Sequence, residues 1–368
     1  MRILVIITRA DTVGGAQVHV RDLCNALISN NHEVLVVTGP PGLYSTDLSK
    51  HHIPFQTCET FHKSIRPFQD WQSLRFFRKT IQRFRPDLIS THSSKAGILG
   101  RIAAKTTETP CVFTAHGWAF TEGVPQPTRK LYEIIERLVA PLANQIICVS
   151  DYDRHIALRI GMDPARLKTI HNGMPDIPLS LRAVPTSGHE VNIAMIARFD
   201  QQKDHDTLLK AFQGISGAHL TLVGDGPGLQ NTQALARELG LSEKVNFLGF
   251  RKDIPHVLAK SHIFTLISHW EGFPLTIIEA MRAGLPAIVS DVGGAAEAVV
   301  EGITGFTVPR SDVQTLRNRL SRLITDSQLR TQMGKAARKK YEQSFTFDRM
   351  FFETYHTYKD VLFQSKYK

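Results

Sequence analysis

Residues 269–286 read HWEGFPLTIIEAMRAGLP, with two glutamates, Glu271 and Glu279, eight positions apart around an apolar run. Pro274 suits the first position of a helix, Gly284 suits the residue just past its end, and Pro286 stops continuation, so the stretch predicts a helix over 274–283. Glu271 then falls in the loop before the helix. Glu279 falls inside it, among Leu275, Ile277, Ile278 and Met281. A carboxylate among apolar neighbours is costly unless hydrogen-bonded, and ligand hydroxyls are suitable donors. Two carboxylates on either side of free helix-start amides describe a site for a molecule that carries hydroxyls and phosphate. The plainer reading is a pair of surface glutamates on an amphipathic helix.

Outward from this stretch, short β-rich runs alternate with helical patterns, which predicts parallel sheets covered by helices. Strands are expected at 3–7, 34–38, 88–91, 111–115, 145–149 and 168–171, then at 191–196, 219–223, 245–248, 263–267, 287–290 and 305–308. Residues 178–189 follow no period and read as a linker. The expected organisation is an α/β domain over 1–177, the linker, a second α/β domain over 190–345, and a helix over about 346–368 that packs back on the first domain. A chain of 368 residues is longer than one hydrophobic core usually grows. The 42% hydrophobic and 21% charged residues exclude a wholly disordered chain. The N-terminus reads as a first buried strand, not a signal peptide. Cys24, Cys58, Cys111 and Cys148 form no CxxC pair, and reduced thiols in a cytoplasmic protein fit that spacing.

The net charge of +10 calls for an anionic partner: nucleic acid, lipid or a phosphate-rich small molecule. Between Lys63 and Arg85 there are seven basic residues and one acidic one, while Trp71, Leu74, Phe77, Ile81 and Phe84 recur at helical spacing. This predicts a helix with an apolar stripe and a basic outer face, either packed on a core and solvated outside or lying on a membrane surface. No aromatic-rich RNA motif or helix-turn-helix pattern supports nucleic acid.

In doubly wound sheets, ligands sit at the carboxyl ends of strands, so the loops there carry the chemistry. Gly14-Gly15 follows the first strand and opens a helical pattern, which permits a close backbone approach to an anion. After the strand at 191–196, Arg198 and Lys203 stand five residues apart and could converge on one diphosphate, Arg as a planar fork and Lys as a point charge. The glycines of LVGDGPGLQ do not fit a dinucleotide fingerprint. Asp151 and Asp153, like Asp204 and Asp206, read as helix caps and first-turn acids rather than metal ligands. The histidines show no HExxH spacing, so no protein metal site is expected.

EGFPLTIIEAMRAGLPAIVSDVGGAAEAV resembles the E-x7-E signature of the retaining glycosyltransferases of family 4. The resemblance extends to GGA near the N-terminus, TAHG at 114–117, HNG at 171–173, R-x4-K at 198–203, GDGP at 224–227, LGF at 248–250 and GITGFTVP at 302–309. It implies the GT-B fold, two Rossmann-like doubly wound domains facing a central cleft. It further implies that Gly14, Gly15 and Ala16 bring backbone amides to the donor diphosphate, which Arg198 and Lys203 grip. Glu279 would accept from the ribose hydroxyls and Glu271 from the transferred sugar, with Gly272, Phe273, Pro274, Leu275 and Thr276 beside phosphate or sugar. His116 would approach the sugar near the reacting centre. Asp204 stands where a glycine is frequent in the family. No cofactor or metal is implied, and the leaving phosphate itself would take the acceptor's proton on the same face.

The HSSKAG and HGW segments are similar to those of enzymes that extend lipid-linked repeat units of bacterial surface polysaccharides. On that resemblance His92, Ser94, Lys95 and Trp118 line the acceptor side. The donor would be a UDP-hexose or UDP-N-acetylhexosamine and the acceptor a glycan on a polyprenyl diphosphate. The protein would be cytoplasmic, peripheral at the inner face of an anionic plasma membrane. Two rivals remain at this stage: a GT-B epimerase or phosphorylase, and a nucleotide-sugar-binding protein without transferase activity.

Overall fold

A computed structural model of the chain describes residues 1–121, 123–186 and 190–366. The chain divides into two compact units, Met1–Asn172 with Met350–Lys368, and Gly173–Arg349.

The first unit carries seven strands: β1 (Arg2–Ile7), β2 (Glu33–Thr38), β3 (Phe55–Thr57), β4 (Leu88–His92), β5 (Cys111–Ala115), β6 (Gln145–Cys148) and β7 (Leu167–Thr169). They form one sheet in the order β3-β2-β1-β4-β5-β6-β7, parallel throughout. Between them run α1 (Gly15–Ser29), α2 (Leu43–Lys50), α3 (Pro67–Phe84), α4 (Ser94–Thr106), α5 (Gln126–Val139) and α6 (Asp151–Arg159). β1 reads RILVII and is buried from Ile3 onward, the continuous apolar run that a strand covered on both faces requires. Its Val5 sits opposite Val36 on one side and Ser90 on the other.

The second unit carries β8 (Val191–Ile196), β9 (Ala218–Val223), β10 (Val245–Phe247), β11 (Ile263–Leu266), β12 (Ala287–Ser290) and β13 (Gly305–Val308), in the order β10-β9-β8-β11-β12-β13. Its helices are α7 (His205–Phe212), α8 (Leu229–Glu238), α9 (Ile254–Ala259), α10 (Leu275–Ala283), α11 (Ala295–Ala298), α12 (Val313–Thr325) and α13 (Ser327–Ser344). α14 (Phe347–Lys366) follows, and from Met350 onward it belongs to the first unit.

In both sheets the strand order reverses beside the first strand, between β1 and β4 and between β8 and β11. The carboxyl ends of those pairs are where a doubly wound sheet leaves room for a ligand.

Several details differ from the sequence reading. The crossing between units falls at Asn172/Gly173, ahead of residues 178–189, the last three of which lie outside the described residues. Residues 174–176 belong with the second unit because its helix α13 holds them: the Tyr341 hydroxyl donates to the Met174 carbonyl at 2.9 Å and Arg338 forks onto Asp176. β3 was not expected; at three half-buried residues it is too short to show a period.

On α3, Phe77 and Ile81 are buried and Leu74, Phe76 and Phe84 pack against that core. Trp71 belongs to the outer surface instead, 51% exposed and stacked on Phe68, itself 69% exposed, with the Arg75 guanidinium 4.7 Å above the indole. At ~100° per residue Trp71 lies well round the helix from the centre of the stripe and Phe68 nearly opposite it. α5 shows a second such face: Glu136 anchors it inward to the buried Arg101 at 2.5 Å, while Leu131, Ile134 and Leu138 stand exposed. No helix among the described residues is long and apolar enough to cross a membrane. The four cysteines are buried free thiols.

Candidate active site

In the second unit, the loops after β8 and β11 meet at the switch point. Lys203 pairs with Ser268 in an isolated antiparallel bridge, and the Lys203 Nζ forms an ion pair with Glu271 Oε1. Glu271 also accepts from Ser268 Oγ at 2.6 Å and from Gln202 Nε2 at 3.2 Å, and the same amide donates to the Trp270 carbonyl at 2.9 Å. Both side chains of the ion pair are nearly buried. Lys203 and Glu271, assigned by the resemblance to the donor's diphosphate and to its transferred sugar, are therefore each other's partners in the structure.

Glycines set the backbone around this pair. Gly293 has φ +56°, and a Cβ there would lie 1.9 Å from the Glu271 carbonyl oxygen. Gly224 has φ +147°, and a Cβ there would lie 1.9 Å from the Ala197 carbonyl oxygen. Phe199 N–H donates to the Asp225 carbonyl at 3.0 Å and Gly228 N–H to the Phe199 carbonyl at 2.8 Å. The GDGPG segment that fits no dinucleotide fingerprint thus braces the loop that carries Arg198 and Lys203. Asp204 is accommodated without a glycine because its φ is −102° and its carboxylate caps α7 by accepting from the Thr207 N–H at 3.0 Å.

Arg198 pairs with Asp200 at 2.6 Å on its own loop and remains more than half exposed. α10 begins at Leu275, with Pro274 as the residue that caps it rather than the first helical residue, and ends at Gly284 in the left-handed region, φ 83°. The open first-turn amides accordingly include Leu275 and Thr276. Gly272 lies in the preceding loop, while the Phe273 ring is buried 5.3 Å from Phe345. Glu279 has Arg282 4.0 Å away, yet burial dominates and raises its carboxyl to about 7.

In the first unit, His92 ends β4, His116 follows β5 and His19 comes from α1. His92 Nδ1 lies 3.0 Å from His116 Nε2, with the rings stacked 5.3 Å apart, and the His19 ring meets His116 edge-on at 4.8 Å. Burial holds His92 and His116 well below the ordinary imidazole value and lowers His19 to about 4, so all three are neutral at physiological pH. Their nitrogens lie within 4.8 Å of one another, a cluster that could accept a transition metal ion. The His92–His116 contact already satisfies one nitrogen of each ring through a shared proton.

Gly14 caps α1, its N–H bonded to Gln17 Oε1 at 3.2 Å, and the first helical bond is Val18 N–H to the Gly14 carbonyl. The amides of Gly15 and Ala16 precede that bond and face outward from the helix start. Ser94 opens α4 behind Ser93, whose φ of 77° and ψ of 151° are a strained conformation for a residue with a Cβ.

Two residues expected on the acceptor side are held by scaffold contacts. Trp118 is a core residue, 3% exposed, stacked on Phe120 and donating its indole N–H to the Asp153 carbonyl at 2.8 Å. Lys95 is tied to Asp70 at 2.5 Å and to the Ser64 carbonyl at 3.0 Å. His92 is fully buried, with its Nδ1 against His116.

Residues 13–176 match the family model for glycosyltransferase family 4, and residues 181–340 that for glycosyl transferases group 1. The chain is 31% identical over 304 residues, 78% of each protein, to the UDP-Gal:α-D-GlcNAc-diphosphoundecaprenol α-1,3-galactosyltransferase of Escherichia coli.

The chain belongs to glycosyltransferase family 4. It is also 25% identical, over 81% of its length and 83% of the relative's, to the O-antigen biosynthesis glycosyltransferase WbnH of Escherichia coli. Anabaena HepE, crystallised with UDP and glucose, superposes with a TM-score of 0.83 at 23% identity, covering 98% of this chain and all of that one, which shows a GT-B fold.

In this family 4 glycosyltransferase, sequence reading missed Ser268, Gln202 and His19. The first two are isolated polar residues with no spacing of their own, and they matter because the chain reversals at β8 and β11 bring them to Glu271. His19 lies one turn into α1 from Gly15, a position legible only once Gly15 is taken as a helix start.

Proposed function

We propose that this glycosyltransferase moves a sugar from a UDP-hexose or UDP-N-acetylhexosamine, with retention of anomeric configuration and without a metal ion, to a glycan carried on a polyprenyl diphosphate in surface-polysaccharide synthesis. The observation that carries this reading is the Lys203–Glu271 pair, braced by Ser268 and Gln202 at the switch point of the second sheet. The relative named above for a UDP-Gal donor and a lipid-diphosphate acceptor supports the choice of substrates.

Breaking a glycosyl–phosphate bond leaves an oxocarbenium-like sugar and a diphosphate that gains negative charge. Positive groups and amides set in place beforehand lower the barrier by stabilising what develops. Arg198, exposed and attached only to its own loop, swings from Asp200 to the diphosphate. Lys203 is drawn from Glu271 to the phosphate, which releases the carboxylate to accept from the sugar's hydroxyls. Glu279, held near neutral by burial, ionises as ribose hydroxyls donate to it. The amides at the start of α10 complete the anion cradle of the second unit; in the first unit the amides at the start of α1 suit an anion and neutral His116 suits a sugar hydroxyl. A leaving-phosphate oxygen takes the acceptor's proton as the new bond forms on the same face.

The exposed Ile65, Phe68 and Trp71 of the α3 region, set among basic residues, together with Leu131, Ile134 and Leu138 on α5, support a first unit that lies against an anionic membrane surface, where a polyprenyl acceptor would reside. Incubation with UDP-Gal, UDP-Glc, UDP-GlcNAc and UDP-GalNAc and a synthetic GlcNAc-diphospholipid tests the function. One donor is expected to give an α-linked disaccharide lipid by NMR, undiminished by EDTA. A β-linked product, or loss of turnover on chelation, overturns the mechanism, and an altered free sugar points to an epimerase.

A further inference from the structure

We propose that the buried line Tyr358–Ser90–His92 in the first unit fixes the tautomer of His116 and presents its Nδ1–H as a donor to a sugar hydroxyl. The proposal rests on the role given to His116 above. Four side chains form a continuous line: Tyr358 hydroxyl to Ser90 Oγ at 2.7 Å, Ser90 Oγ to His92 Nε2 at 3.0 Å, and His92 Nδ1 to His116 Nε2 at 3.0 Å. Tyr358, Ser90 and His92 have no exposed surface.

Burial raises the Tyr358 hydroxyl and lowers both imidazoles, so the tyrosine keeps its proton and each ring carries one. Only two proton settings satisfy the line. In the first, Tyr358 donates to Ser90, Ser90 donates to His92 Nε2, and His92 Nδ1–H donates to His116 Nε2. Every donor then has an acceptor, and His116 must carry its own proton on Nδ1. In the reverse setting His116 Nε2–H donates to His92, His92 Nε2–H to Ser90, and Ser90 to the tyrosine oxygen. The Tyr358 proton is then stranded, because among the described residues that hydroxyl meets no partner but Ser90. A buried donor without an acceptor is the costlier arrangement, and the hydrogen bond at one ring nitrogen decides what the other can do. The first setting places on His116 the tautomer that is the minority form of a free histidine side chain. Tyr358, Ser90 and His92 are positioning residues, since none of them reaches the substrate.

Nitrogen-15 NMR of the full-length protein, with His116 assigned by a His116→Asn variant, reads the tautomer directly. The wild type is expected to show a protonated Nδ1 and a bare Nε2 on His116. Ser90→Ala, which removes the donor to His92 Nε2, should shift the population toward Nε2–H and lower kcat about tenfold, with the donor KM within about twofold of wild type, while Tyr358→Phe leaves Ser90 donating to His92 and should keep the wild-type tautomer. Ser90→Ala cuts the line outright, and a melting curve verifies that both variants fold. A wild-type His116 protonated at Nε2, or a tautomer unmoved in Ser90→Ala, overturns the relay. A tautomer that moves while kcat does not overturns the role of His116 in the reaction and leaves the hydrogen-bonded line standing.

Discussion

Replacing Lys203 by methionine keeps most of the side-chain volume and deletes the charge that faces Glu271. Breaking a buried ion pair from one side costs about 3–5 kcal/mol, because the remaining charge is left without its counterpart. Here the carboxylate keeps Ser268 at 2.6 Å and Gln202 at 3.2 Å, so part of that cost is offset and about 2–3 kcal/mol is expected. For a unit the size of Gly173–Arg349, each kcal/mol moves the midpoint by about 2–4 °C, so Tm falls by roughly 5–10 °C. On the role proposed for Lys203, the same substitution is expected to lower kcat/KM by about 30-fold to 1,000-fold, or about 2–4 kcal/mol of barrier. The double variant Lys203→Met with Glu271→Gln separates the two effects. It leaves no unpaired charge and should regain at least half of the lost stability while regaining none of the activity. Calorimetry and a donor-consumption assay on the four proteins of this cycle make the measurement. An unchanged Tm in the single variant refutes the ion pair in solution. Activity restored in the double variant refutes direct phosphate binding by Lys203.

Arg198→Ala should also cost about 2–4 kcal/mol in the barrier, yet leave Tm unchanged, because the side chain is exposed and its partner is a neighbour on the same loop; steady-state kinetics beside a melting curve check this. Glu279 is raised from its ordinary 4.5 to about 7 by burial, so the fold favours its neutral form: its contribution to stability is complete below about pH 4.5 and is lost as pH rises through 7. Glu279→Gln should flatten that part of the Tm–pH curve, and UDP binding to the wild type should release about half a proton at pH 7, read by titration calorimetry in buffers of different ionisation enthalpy. Gly293→Ala forces a Cβ toward the Glu271 carbonyl from a left-handed backbone, and should destabilise by about 1–3 kcal/mol while raising the donor KM. Phe68→Ala with Trp71→Ala removes two exposed rings, and sedimentation with anionic vesicles should fall by tenfold or more with activity on a water-soluble acceptor retained.

The sheets were legible because β1 and β8 are apolar runs bounded by turns, and a strand buried on both faces leaves that signature whatever lies beside it. The α10 helix was legible to within one residue from Pro274 and Gly284. Its cap moved by one because Pro274 adopts extended backbone, ψ 128°, which no single-residue preference discloses. β3 escaped notice for want of length. Trp71 was grouped with the apolar stripe because spacing tells which residues share a face and says nothing of how far neighbours reach round it. The contacts of Lys95 and Trp118 were illegible for a different reason: their partners, Asp70 and Asp153, lie 25 and 35 residues away and meet them only through tertiary packing. The pairing of Lys203 with Glu271 spans 68 residues and was invisible for the same cause.

The most direct test is a crystal structure of the full chain with an unhydrolysed UDP-sugar. Arg198 and Lys203 should then touch the diphosphate, with Glu279 on the ribose and Glu271 freed from Lys203 to bind the sugar's hydroxyls. A nucleotide bound elsewhere, with the Lys203–Glu271 pair intact beside it, would contradict the account.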